Sequence, residues 1–146
     1  MKKISLYSDG SSLGNPGPGG WGTILRYNDN EKELSGADPS TTNNQMELLG
    51  VIKGLEALKE PCEVDIYSDS TYVVKAINEW LDGWQKVNFR QGSAKEVKNI
   101  DLWKRYLEAA KKHKITANWV KGHAGHEENE RCDKLAYNEA QRIKNA

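Results

Sequence analysis

The chain has 146 residues, 21 Lys and Arg against 21 Asp and Glu, and a formal net charge of zero. That length fits one domain with a full hydrophobic core, and a neutral total excludes a global field drawing in nucleic acid or anionic membrane. No apolar run approaches the length that spans a bilayer, and Met1-Lys2-Lys3 leads straight into a strand pattern rather than a signal-peptide core. Cys62 and Cys132 lack metal-like spacing and read as buried free thiols. The expectation is a single domain over residues 1–146, cytoplasmic and monomeric, with no membrane and no obligate protein partner.

Residues 4–9 alternate apolar and polar, the period of a strand, and close on Tyr7-Ser8-Asp9. Residues 10–20 are too rich in Gly and Pro for regular structure and read as a turn. Strands at 21–27 and 31–36, joined by a turn at 28–30, complete an antiparallel meander. Thr42 and Gln45 form a capping box that opens a helix with Leu48, Val51, Ile52, Leu55 and Leu58 as its apolar stripe. A fourth strand at 63–69 ends on Tyr67-Ser68-Asp69, and Ser70 caps a second helix carrying Val73, Val74, Ile77 and Leu81. Residues 82–98 are irregular and more basic, and a third helix covers 99–113. Ile115, Ala117 and Trp119 mark a fifth strand, residues 122–126 a loop, and Glu127 onward a last helix. Trp103 and Trp119 read as core. The order predicts an α/β fold with a five-stranded mixed sheet, 3-2-1-4-5, and helices on both faces. A right-handed crossover makes strands one and four parallel neighbours.

That topology brings the two Tyr-Ser-Asp endings to one sheet edge, where open α/β sheets place their ligands. Glu47, in the first turns of the first helix, and Asp133, near the start of the last, face the same edge. Taken singly, each acid fits a turn or a helix N-terminus. Together they form an oxygen-rich site suited to a hard divalent cation such as Mg²⁺, and a pair of ions can clamp both oxygens of a phosphoryl displacement.

Tyr7-Ser8-Asp9-Gly10-Ser11, Asn15-Pro16-Gly17-Pro18-Gly19, Thr41-Thr42-Asn43-Asn44 with Met46-Glu47-Leu48, Ser68-Asp69-Ser70, and residues 119–126 with 129–133 occur in one order along the chain. In that order they resemble type 1 ribonuclease H of the bacterial kind, over essentially the whole sequence. The resemblance implies a ribonuclease H-like fold and a Mg-dependent endonuclease that cuts the RNA strand of an RNA–DNA hybrid. Its products would carry 5′-phosphate and 3′-hydroxyl ends. It makes Asp9, Glu47, Asp69 and Asp133 the ligands of two Mg²⁺ ions, with Mn²⁺ able to substitute, and gives His123 a role in proton handling or product release. His126 and His113 have no comparable claim.

The resemblance further assigns the hybrid to Gly10, Ser11, Asn15, Asn43 and Asn44, short groups suited to a 2′-hydroxyl that both donates and accepts. Thr42 and Asn99 match a pocket for a DNA-strand phosphate, and each also fits a helix N-cap. Between 80 and 105, Lys86, Arg90, Lys95, Lys98, Lys104 and Arg105 interleave with Trp80, Trp84 and Phe89. Cations among aromatic platforms track a nucleic acid backbone, and in the family a basic protrusion at this point grips the hybrid. Two departures concern substrate contacts: Thr71 stands where relatives carry Gln, and Gln45 where a basic residue often precedes the Met-Glu pair. A silent hybrid-binding module would have no need of four acids and a histidine. A resolvase or integrase-like enzyme would lack the Asn-Pro-Gly turn and the Gly-His-Ala-Gly-His loop.

Overall fold

The computed structural model describes residues 1–91, 95–96, 98–121 and 126–146. Three strands come first: β1 (Lys2–Ser12), β2 (Gly17–Tyr27) and β3 (Asn30–Thr41). They are followed by α1 (Asn43–Glu56) and β4 (Cys62–Ser68). A helical run then comprises α2 (Thr71–Lys75), a π-helical turn (Ala76–Trp80) and α3 (Leu81–Lys86). Two short strands, β5 (Arg90–Gln91) and β6 (Lys95–Glu96), precede α4 (Ile100–Ala110), β7 (Lys114–Trp119) and α5 (Glu127–Lys144). The main sheet has the order β3-β2-β1-β4-β7, which is the predicted 3-2-1-4-5. β1 pairs antiparallel with β2 and parallel with β4, placing Tyr7 opposite Tyr67.

The two sheet faces carry cores of different size. Ile4, Leu6, Leu25, Val64 and Ile66 meet Leu48, Val51, Ile52 and Leu55 of α1, Val73 of α2 and Trp103 of α4. On the opposite face Tyr7, Ile24 and Cys132 form a smaller cluster under α5. Burial of these side chains is the main stabilising term, at about 25 cal/mol per Å² of apolar surface. Gly22 sets how closely α5 approaches. A Cβ there would lie 2.6 Å from the Cys132 carbonyl oxygen, so the helix backbone rests directly on the strand.

The predicted turn at 10–20 is largely strand. β1 continues to Ser12 and β2 begins at Gly17, with Gly10 opposite Trp21 and Ser12 opposite Gly19. Gly10 lies where α1 presses on the sheet and Gly20 where α5 does, so their small size serves packing rather than a loop. β3 likewise runs on to Thr41, past the predicted end at 36. The capping box forms as expected, Thr42 Oγ1 accepting from Gln45 N–H and Gln45 Oε1 from Thr42 N–H. Asn99 precedes α4 but caps nothing. Its backbone is left-handed at φ 61, and its side chain is turned to Gln45 and Tyr72 instead. Trp103 is buried, whereas Trp119 is 54% exposed. It ends the edge strand β7, beyond the cover of α5, which packs on β1, β2 and β3. Both cysteines are buried and free. Among the described residues no helix is long and apolar enough to cross a membrane.

Candidate active site

Asp9 lies inside the β1–β2 ladder opposite Gly22, near the carboxyl end of β1. The next residue brings the second acid to it. A Cβ on Gly10 would sit 2.3 Å from the Glu47 backbone nitrogen, so only glycine lets the first turns of α1 rest on the strand. Glu47 thereby arrives beside Asp9, and Asp69 follows one residue after β4. One carboxylate oxygen from each of Asp9, Glu47 and Asp69 lies within 4.8 Å of the other two.

Burial pushes the Asp9 carboxyl up to about 7, and the Asp69 charge adds to the rise, while hydrogen bonds involving Glu47 and Gly10 N–H oppose it. Glu47 is raised well above the usual carboxylate range by burial and by the Asp9 charge. Its Oε2 is buried without a hydrogen-bond partner. Carboxylates crowded in this way resist ionisation unless positive charge joins them. The donor set is all oxygen, as hard divalent cations require, and the orphaned Glu47 oxygen offers a ready ligand. The residues therefore fit a Mg²⁺-type ion. Asp133, on α5, comes near enough to Asp9 to raise its carboxyl further, yet lies outside the three-acid group. His123 lies outside the described residues.

Beside the acids, Ser12, Gly14, Asn15, Thr42, Asn43 and Asn44 line an open cleft of about 350 Å³. Asn15, Asn43 and Asn44 are exposed there, and Asn43 Oδ1 accepts from Ser12 N–H at 2.7 Å. Ser12 and Gly14 were not singled out by sequence, although Ser12 continues the Gly10-Ser11 run. Gln45 joins Thr42 to Asn99, donating from Nε2 to Asn99 Oδ1 at 3.2 Å while its Oε1 closes the capping box. Asn99 Nδ2 in turn donates to the Tyr72 hydroxyl, which also accepts from Trp103 Nε1. The two candidate phosphate-pocket residues are thus linked to each other and to the core. Further out, Trp80 is 38% exposed and lies 5.9 Å from Trp84, which packs against Trp103. Lys86 is exposed on the same helical run.

Comparison with known proteins decides the family. The ribonuclease H family model matches residues 1–141. The chain belongs to the ribonuclease H family. It is 63% identical to the ribonuclease H of Sulfurovum sp. over 143 residues, covering 98% of this chain and 94% of the relative. It is 61% identical to that of Campylobacter concisus, covering 99% and 96%. Among solved structures, LC9-RNase H1, a type 1 ribonuclease H with the type 2 active-site motif, superposes with a TM-score of 0.88 at 29% identity. The match spans 98% of this chain and 74% of that one. LC11-RNase H1, solved with an RNA/DNA hybrid, shares the fold at a TM-score of 0.72 and 21% identity, covering 95% and 97%. As a ribonuclease H this is a nuclease of a family that uses divalent metal ions, and the acid cluster is where one fits.

Proposed function

We propose that this ribonuclease H is a Mg²⁺-dependent endonuclease that hydrolyses the RNA strand of RNA–DNA hybrids, leaving 5′-phosphate and 3′-hydroxyl ends. The observation that carries the reading is the convergence of Asp9, Glu47 and Asp69 from β1, α1 and the end of β4 onto one point. Asp9, Glu47 and Asp69 would hold divalent metal, with Asp133 completing a second position beside Asp9. Bound there, a pair of Mg²⁺ ions supplies Lewis acidity and a water of lowered pKa. The protein's own contribution is placement. Asp9 is fixed by the sheet, Glu47 by the seating of α1 on Gly10, and burial of both lowers the local dielectric. The amides of Asn15, Asn43 and Asn44 line the cleft that would read 2′-hydroxyls, with the backbone of Gly10 and Ser11 assigned to the same task by family resemblance. Thr42 and Asn99 would receive a DNA-strand phosphate, and Trp80, Trp84 and Lys86 the hybrid further along. His123 is assigned proton handling or product release by family resemblance.

Cleavage of an end-labelled RNA–DNA duplex, with Mg²⁺ and with a chelator, tests the reading. Cutting of the RNA strand only with metal, and of neither homoduplex, is expected. Asp69→Asn should reduce cutting by about 10³-fold, the several kcal/mol that metal chemistry supplies, while hybrid binding persists. Equal cutting by that variant would remove Asp69 from the ligand set.

A further inference from the structure

Asp9 and Asp69 end similar sequences but are held differently. Asp9 is a member of the β1–β2 ladder, whereas the β4 ladders stop before Asp69, at Tyr7–Tyr67 with β1 and at Ser68–Trp119 with β7. Side chains and one loop amide take over where the sheet ends. Asn118 Nδ2 donates to the Ile66 carbonyl at 3.2 Å and Asn129 Nδ2, from α5, to that of Tyr67 at 3.0 Å. Val120 N–H donates to the Ser68 carbonyl at 2.9 Å. The series ends with Trp119, whose indole Nε1–H donates to the Asp69 carbonyl at 3.1 Å. Each carbonyl from Ile66 to Asp69 is thus tied to β7, the residue after it, or α5. Beyond Asp69, Ser70 N–H donates to Ser68 Oγ, and Ser70 Oγ caps α2.

A half-exposed tryptophan needs a reason to stay in one orientation, since solvent could satisfy its N–H equally well. Here the ring lies over the turn and lines a cleft of about 380 Å³ with Thr71, Val74, Lys75 and Glu79. We propose that Trp119 is a positioning residue for the reaction: its indole N–H fixes the main chain of Asp69, and so aims that carboxylate at the cation shared with Asp9 and Glu47. This rests on the nuclease reading above. Misplacement of a ligand by a fraction of an ångström weakens its coordination and slows chemistry, while leaving the hybrid's contacts intact.

Two replacements of Trp119 separate this role from stacking. Trp119→Phe keeps an aromatic ring without the donor. Site-specific replacement by benzothienylalanine keeps the indole outline and removes only the N–H. Both should lower kcat and raise the half-saturating Mg²⁺ concentration by about five- to tenfold, the worth of one hydrogen bond. KM for the hybrid should stay within about twofold, and the melting temperature of the benzothienyl protein should match the parent. Unchanged kcat and Mg²⁺ dependence in the benzothienyl protein would overturn the proposal. So would a rise in KM alone, which would make the ring a surface for substrate. A Mg²⁺ titration followed by the amide NMR signals of Gly10 and Ser70 reads the same geometry without substrate. If the parent fails to cut hybrids, the functional reading fails, and weakened Mg²⁺ binding in the variants still decides the role of Trp119.

Discussion

Under the proposed function the acid cluster holds cations and the segment from Ala76 to Lys98 meets a polyanion, and the two are built in opposite ways. Asp9 and Glu47 are buried and carried on elements that share the largest core of the molecule. The segment has a π-helical turn, a six-residue helix and two strands of two residues each. Asn88 and Phe89 follow one another with left-handed backbones, φ 53 and 61, a conformation that costs a non-glycine residue about 1–3 kcal/mol. Among the described residues the segment is held by Ala76, Leu81 and Phe89, all buried in that same core, with Trp84 leaning on Trp103 and Lys104 lying over the Phe89 ring. In the proposed function the difference has a use: metal ligands would need fixed positions on long elements, whereas long cationic side chains on short, irregular elements could follow a duplex.

The contrast breaks most sharply at Asp9. Asp9→Asn should cost about 10³-fold in cleavage yet raise the melting temperature of the metal-free protein at pH 8 by about 5 °C, because a buried like-charge cluster loses one member. Its carboxyl is raised in the folded state from an ordinary value of 3.8 to about 7, so the folded form holds the extra proton between those values. The stability from that protonation is complete below about 4 and lost as pH rises through about 7. Thermal melts in chelator should therefore show a decline over that window that Asp9→Asn flattens. An unchanged melting temperature in the variant would mean the acids do not strain the apo protein.

A smaller effect belongs to the basic segment. Lys86→Ala combined with Arg90→Ala should raise KM about tenfold with kcat held, and reduce the slope of log KM against log salt by about 2. An unaltered slope would separate these side chains from the hybrid's phosphates.

The smallest change is expected far from both regions. His113 Nδ1 accepts from Cys62 N–H at 3.0 Å at the start of β4, and burial holds its imidazole below the usual histidine range. The neutral ring is the acceptor, so this contribution is present above pH 6.5 and fades as pH falls through the lowered value. His113→Ala should cost about 1 kcal/mol, or about 4 °C, with kcat unchanged. A loss of cutting there would mean the two ends of β4 communicate.

Much of this was legible in the chain. The sheet order followed from counting elements and one handed crossover, and the Thr42–Gln45 box was written in residues three apart. Asp9, Glu47 and Asp69 were readable as a group because strand ends and helix starts meet at one edge of such a sheet. What escaped depended on partners distant in sequence. Gly10 and Gly20 look like loop residues until the helices that need their bareness are in place. Asn99 suits an N-cap by type, but the Tyr72 hydroxyl and Gln45 amide claim its side chain. Trp119 reads as core in the sequence, beside Ile115 and Ala117 of the same strand. Its exposure follows from ending an edge strand, and its work is done by the polar atom of the ring.

The π-helical turn at Ala76–Trp80 constrains the chain in a further way. A π turn holds an additional residue without ending the helix, so everything after it is rotated relative to an ordinary α-helix. Each residue of an α-helix advances the azimuth by about 100°. Deleting one residue of this turn would let it close as an ordinary α-helical turn, leaving Trp84 and Lys86 on nearly their present sides of the helix. The turn therefore makes this stretch asymmetric toward changes of length: the loss of one residue here should be tolerated better than the gain of one.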